Sequence, residues 1–387
     1  MANTLTNLIP TLVTALDVVS REQVGFIPSV NRDPTADRVA KNQTLYSWLT
    51  GAATISNITP GPYPPQPSDQ TLTNVPITIT NYKLSDWYFT GEEEKALGGQ
   101  YGNITTDKTE QAIRAIVNQM ESDIFTAAYV GSSRAYGTAN TTPFASNTGD
   151  SAQMKKILDD NGAPLDTRSL VIDTTAGAAL RTLTQLTKVN EAGTTMTLRD
   201  GELLNLNKFS IKESAQITAP TAGTMANATS TSAAFTVGQT VIPLATAGTG
   251  VVAAGDIVTF ANDTNKYVIA SVSFAGSNPA SGDSITLNAP GLRKAQGVAT
   301  RAITVVAASA RNIAFSKNAI LLATRLPARP SGGDMASDVV VLQDARSGIS
   351  LEFSMYPQYR QTRYEVAAAW SATVMKPEHS ATLLGAA

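Results

Sequence analysis

Residues 107–130 read DKTEQAIRAIVNQMESDIFTAAYV, and they form the clearest single element of the chain. Ile113, Ile116, Val117, Met120, Ile124, Ala127 and Ala128 recur at the spacing of one helical face, while Gln111, Arg114, Asn118 and Glu121 fall away from it. Asp107 with Glu110 three residues on makes a capping pair, and Gly131 follows the last periodic residue as a stop. At about 1.5 Å per residue such a helix spans roughly 36 Å. A helix of that length works as a spine. It needs sheet from elsewhere in the chain to cover its apolar stripe.

Composition narrows the classes of protein. Of the 387 residues, 16% are charged, against roughly 25% in ordinary soluble domains. Much of this surface is therefore expected to be covered. The formal charge is -2 and the basic residues are scattered, which gives no electrostatic footprint for DNA, RNA or acidic lipid. The absence of cysteine removes disulfides, thiolate metal sites and thiol nucleophiles together. No apolar run is long enough for a membrane helix, and the first residues, MANTLTNLIPTLVTALDVV, lack the basic start of a signal peptide. Synthesis in a cytoplasm without export by that route is the expectation.

Upstream of the spine, Leu12, Val13, Leu16 and Val19 mark a short amphipathic helix, with Pro10 near its first turn. Residues 21–50 carry isolated apolar side chains such as Phe26, Ile27 and Trp48, and are expected to be irregular chain lying on something else. The segment TPGPYPPQP, residues 59–67, is stiff and extended. Then Val75, Ile77 and Ile79, followed by the alternation from Tyr82 to Phe89, predict two strands of a protruding hairpin. An isolated hairpin is marginal in water, so Trp87 and Phe89 become candidate contacts to a neighbouring subunit. Glu92, Glu93 and Glu94 predict a solvated acidic turn.

Downstream, Met154, Ile157 and Leu158 predict a short helix, residues 170–172 a buried strand, and Ala179 to Leu186 a helix capped by Asp173 or Thr174. Leu203, Leu204, Leu206, Phe209 and Ile211 supply another strand-like stretch. Between about 214 and 302 the composition shifts, with no charged residue from 215 to 255. Short alternating stretches around Phe235, Val258, Val268, Val272 and Ile285, separated by turn residues, predict an all-β insert. Mixed composition returns at residues 310–330. Ile349, Leu351, Phe353 and Met355 predict a strand; Val366, Trp370 and Val374 fit either strand or helix spacing.

Catalytic signatures are missing. His379 is the only histidine and is given a surface reading, and no phosphate loop, zinc-binding helix or nucleophile-elbow motif occurs. No cofactor, metal site or catalytic residue is expected, and the chain is read as not an enzyme.

Three stretches carry a resemblance: GELLNLNKFSIKES at 201–214, RNIAFSKNAILLATRLP at 311–327 and GISLEFSMYPQYRQTRYEVAAAWSATVMKPEHSATLLG at 348–385. With the order of arm, hairpin, spine helix, β insert and closing strands, the chain resembles the major capsid proteins of tailed bacteriophages, in particular short-tailed phage coat proteins with an insertion domain. The resemblance implies an α+β shell fold shared by tailed phages and herpesviruses. Its parts would be an N-terminal arm (1–50), an extended hairpin loop (51–90), a peripheral domain with the spine helix (91–135 and 350–387), an axial domain (136–213 and 303–349) and a β-barrel-like insertion domain (214–302). It further implies hexamers and pentamers in an icosahedral shell, a scaffolding protein, a portal protein and a decoration protein as partners. Double-stranded DNA would be enclosed without sequence-specific binding, no membrane would be involved, and assembly in the bacterial host cytoplasm would lead to the virion. Because the arm begins close to Met1, a separate scaffolding protein is expected rather than a cleaved leader. Some members crosslink a loop lysine to an asparagine of another subunit; Lys83 lies near the hairpin without a matching acceptor context. The competing class is a β-rich adhesin or surface-layer protein, for which the insert would be the working part.

Overall fold

A computed structural model of the chain describes residues 24–50, 55, 57, 58, 60–62, 72–187, 205–246, 248–344 and 349–386. The expected helix around Leu12 and most of the Pro-rich segment lie outside them. In chain order the first elements are strands β1 (Asn31–Val39), β2 (Thr44–Thr50), β3 (Leu72–Thr78) and β4 (Asn81–Thr90), then helices α1 (Gly91–Leu97) and α2 (Tyr101–Val130). Next come β5 (Arg134–Tyr136), α3 (Gly149–Asp160), β6 (Arg168–Ile172), α4 (Thr174–Thr182) and β7 (Ser210–Glu213). The Thr/Ala-rich region holds β8 (Thr229–Ser230), β9 (Val241–Thr246), β10 (Ile257–Phe260), β11 (Lys266–Val272), β12 (Ser284–Leu287) and β13 (Ile303–Val305). The chain closes with β14 (Arg311–Ser316), β15 (Ile320–Pro327), β16 (Asp338–Asp344), β17 (Ile349–Gln358), β18 (Gln361–Val374) and β19 (Ser380–Leu384).

Helix α2 is the spine, 30 residues long, and it begins one and a half turns before the expected capping pair. Its early turns are held by polar side chains rather than apolar ones. Buried Thr105 and Thr109 donate their hydroxyls to the carbonyls of Tyr101 and Thr105 at 2.9 and 2.8 Å, so both satisfy themselves within the helix. Asp107 and Glu110 therefore sit inside the helix instead of capping it. The true start signal lies at Thr90, whose hydroxyl accepts the Glu93 N–H while the Glu93 carboxylate accepts the Thr90 N–H, a capping box for α1. The acidic run expected as a turn is the first turn of that helix, where negative charge suits the dipole.

Six strands make one sheet, in the order β1-β15-β18-β17-β16 with β4 also along β18. Its inner face meets the spine. Trp370, Val366, Phe353, Leu351 and Ile349 pack with Ile113, Ile116, Val117, Met120 and Ile124 in one buried cluster, which also takes in Phe26, Ile27 and Val30. Trp370 donates its indole N–H to the Asp123 carboxylate at 2.9 Å, satisfying the only polar atom of a fully buried ring. The ambiguous stretch around Trp370 is thus strand, and sheet covers the helical stripe. Two expectations about the early chain are corrected. Residues 31–50 are not irregular, since β1 pairs in parallel with β15 and β2 pairs with β3. Nor is β4 part of the hairpin: the hairpin is β2 with β3, and β4 runs antiparallel to β18, placing Trp87 opposite Tyr364.

The second sheet has eleven strands, with β7-β6-β14-β19-β5 continuing into β11-β12-β9-β8 and with β10 and β13 attached. Helices α3 and α4 cover its first part, closing a cluster of Met154, Leu158, Leu170, Ile172, Leu180, Phe209 and Leu383. Asp173 caps α4 by accepting the Ala176 N–H. A third cluster is drawn from residues 225–305 alone and includes Phe235, Ile242, Val258, Phe260, Tyr267, Ile269, Ile285 and Leu287. Its link to the rest of the sheet is a short antiparallel match of Lys266 and Tyr267 with Ala135 and Arg134. The class is α+β, with the spine helix, sheet, two-stranded loop and N-terminal chain laid against the helix that the resemblance implies.

Candidate assembly surfaces

The β2/β3 hairpin is anchored at its base and open beyond it. Ile77 and Ile79 are buried against Val39, Ala323 and Ala369, which fixes the root of the hairpin on the sheet. Farther out, Tyr46 and Trp48 share one face of β2 and are 66% and 70% exposed. Their cross-strand neighbours are Pro76 and Asn74, too small to cover two aromatic rings. Ile55 and Ile58 beyond β2 are almost wholly exposed. A two-stranded ribbon carrying uncovered rings and aliphatic side chains meets the physical description of a docking element.

The structure puts Trp87 and Phe89 elsewhere. Trp87 stacks on Tyr364 at a centroid distance of 5.7 Å and tilts against Phe353, and Phe89 meets the Tyr101 ring edge-on at 5.4 Å. Both rings pack against the subunit's own main core, on the side of β4 that faces the spine. The rings left uncovered on β4 are those of the opposite face, Tyr82 and Tyr88, with Leu84 between them. Alternation along β4 is legible in the sequence, but which face is inside depends on β18, which follows it by more than 270 residues. The spine residues Ile113, Ile116, Val117, Met120 and Ile124 are all buried, and Phe125, not counted among them, joins the same cluster. Lys83 places its ammonium 5.7 Å from the Trp370 ring centroid, within the sheet.

Charge is organised on the other face of the six-stranded sheet. Glu352 is buried and receives Arg38 and the Nε of Arg329, the latter at 2.7 Å. Arg329 also donates to Ser354 and pairs with Asp334, and Arg363 pairs with Asp86 at 3.0 Å. Arg325 binds the carboxylate and carbonyl of Asp33, joining β15 to β1. The alternation ISLEFSMY along β17 thus buries both faces, apolar toward the spine and ionic away from it.

One buried carboxylate escaped the sequence reading. Glu121, expected on the polar side of the spine, is fully buried and accepts the backbone N–H groups of Gly25, Phe26 and Ile27 at 2.6, 2.7 and 3.0 Å. Burial pushes its carboxyl up from the usual range, and these three N–H groups with Ser214 oppose that. Gly25 is required here: a Cβ would lie 2.6 Å from Val171 Cγ1 and 2.8 Å from the Glu213 carbonyl oxygen. The clasp fixes where the N-terminal chain meets the spine.

Among the described residues no cluster of histidine, aspartate and glutamate has metal-site geometry, and no helix is long and apolar enough to cross a membrane. His379 is half-buried, and burial pulls its pKa below the ordinary value.

No family model matches the chain, and no curated protein matches it. Among solved structures it is similar to one from Mycobacterium phage Che8, with a TM-score of 0.46 and 11% identity over 95% of this chain and 90% of that one. It is likewise similar to the capsid structure of cyanophage P-SCSP1u, with a TM-score of 0.48 and 12% identity over 92% and 88% of the two chains. A third is the mature capsid of bacteriophage PhiM1, with a TM-score of 0.44 and 13% identity over 91% and 85%.

Proposed function

We infer that the chain is the major capsid protein of a tailed phage, a structural subunit that assembles with copies of itself into the shell around packaged DNA. The observation that carries this is the β2/β3 hairpin, rooted by Ile77 and Ile79 yet leaving Tyr46, Trp48, Ile55 and Ile58 exposed, uncovered by any of the described residues. The resemblance of residues 201–214, 311–327 and 348–385 to tailed-phage coat sequences supports the same reading. Hexamers and pentamers, scaffolding, portal and decoration proteins, and assembly in the host cytoplasm belong to this proposal. In it residues 91–135 and 350–387 are the peripheral domain with the spine helix, 136–213 and 303–349 the axial domain and 214–302 the insertion domain, although β1, β4, β15 and β16 share the sheet that covers the spine.

Two experiments test it. Tyr46→Ala with Trp48→Ala should leave the circular dichroism and urea midpoint of the subunit unchanged. Interface aromatics that act as hot spots contribute about 2 kcal/mol or more each, so the concentration needed for assembly, read by light scattering, should rise more than about tenfold. Trp87→Ala should act the other way, lowering subunit stability. Reversal of the two outcomes would return the intersubunit role to Trp87. Separately, the insert expected at 214–302, lengthened to 306 so that it keeps β13 and the buried Ile303, should unfold cooperatively as a β-rich monomer when expressed alone, since about ninety residues suffice for a core and the third cluster uses no side chain from outside 225–305. A random-coil spectrum would remove the insertion domain from the account.

A further inference from the structure

A cavity of about 320 Å³ lies between the spine and the β-rich insert, lined by Phe125, Thr126 and Tyr129 of α2, by Thr218, Pro220 and Thr221, by residues 253–256 and by Arg311. Arg311 is only 1% exposed, and its Nε and Nη1 have no hydrogen-bond partner among the described residues. No residue forms an ion pair with it among those described; Asp256 and Tyr129 act on it only through space. The Asp256 carboxylate is engaged elsewhere, accepting the N–H groups of Gly223 and Ala253 at 2.9 and 2.8 Å. A guanidinium stays protonated in proteins, and one left buried without an acceptor is strongly disfavoured unless something else supplies the oxygen atoms. The rest of the wall is mixed: Ser122, Thr126, Tyr129, Thr218, Thr221 and the Asp256 carboxylate stand beside an apolar part made by Phe125, Pro220, Ala253 and Ala254, and a bare inorganic anion would leave that apolar part unused.

We propose that this cavity binds a small organic carboxylate, its charged end on the Arg311 guanidinium and its apolar body against Phe125, Pro220, Ala253 and Ala254. The volume suits a ligand of about the size of an aromatic acid or a terminal residue of a peptide. Hydroxyls of Thr218, Thr221 and Tyr129 stand in the same wall and can donate to the second carboxylate oxygen.

The probes are benzoate, its neutral isostere benzamide, and inorganic phosphate at matched ionic strength, each titrated into the full-length chain and followed by thermal unfolding and by calorimetry. Benzoate should raise the unfolding temperature saturably, with at least a tenfold tighter dissociation constant than benzamide or phosphate. Arg311→Gln should weaken benzoate at least tenfold. Because that variant can fail to fold, Ala254→Leu, a larger side chain at an exposed position of the cavity lining, is the second test and should abolish the benzoate shift while leaving the ligand-free unfolding temperature unchanged. Three results would overturn the proposal: no saturable benzoate effect, equal binding of benzamide or phosphate, or an undiminished benzoate shift in a folded Ala254→Leu chain.

Discussion

Replacing Ile116 by Asp is expected to abolish soluble subunit. Ile116 is buried on the spine in the cluster that holds Trp370, Val366 and Phe353. Losing its side chain alone costs about 2–5 kcal/mol for large-to-small changes at such positions. The introduced carboxylate adds a penalty of several kcal/mol, whether it is desolvated charged or protonated without a partner. The total reaches much of the roughly 5–15 kcal/mol that holds a domain folded. Expression should give aggregates at all temperatures, while Ile116→Val, at about 0.5–1.5 kcal/mol, should remain soluble with a slightly lowered urea midpoint. Soluble Ile116→Asp with normal helicity, failing only in shell geometry, would show that this stripe faces another subunit.

Glu121→Ala is the second large effect. It leaves the N–H groups of Gly25, Phe26 and Ile27 without acceptors in a region sealed from water, and a buried unsatisfied donor costs about 1–3 kcal/mol. Removing the carboxylate also removes its own desolvation, so the net loss should be on the order of 3 kcal/mol rather than the sum. Glu121→Gln should lose less, since its carbonyl oxygen still accepts while its amide nitrogen meets a donor. Hydrogen exchange is the discriminating readout. Amides of residues 25–30 should exchange faster in Glu121→Ala by more than the global loss of stability accounts for, whereas an effect spread evenly over the spine would reduce Glu121 to a packing residue. The burial that pushes the Glu121 carboxyl above the unfolded value gives a sign as well: by itself this group favours the fold most at low pH and less as pH rises through its raised folded value. The three N–H bonds act against that dependence, and Glu121→Gln should flatten what remains.

The parts legible in the sequence are those where one local period suffices. The stripe from Ile113 to Ile124, the strands around Val258, Val268 and Ile285, and the Asp173 cap each declare themselves within a few residues. What stayed hidden is set by partners far along the chain. Strand β1 contains Arg32, Asp33 and Pro34 and shows no apolar alternation, because its place is the edge of a sheet where it pairs with β15 some 290 residues later. Glu121 looks like a solvated residue because its acceptors are used by backbone N–H groups that no side-chain pattern marks. Trp87 and Tyr88 differ in role only through which face of β4 lies against the spine. The capping box at Thr90 and Glu93 is the exception: a Thr followed three residues on by a Glu is a local signal, and it starts a helix where the acidic run alone predicts a turn.

The assembly proposal rests on surface that a lone subunit leaves uncovered, and its most direct test is electron microscopy of the purified full-length chain as its concentration is raised. Closed shells, aberrant particles or tubes with walls one subunit thick are predicted, disappearing with Tyr46→Ala and Trp48→Ala together. A monodisperse monomer at every concentration, unchanged by those substitutions, would contradict it.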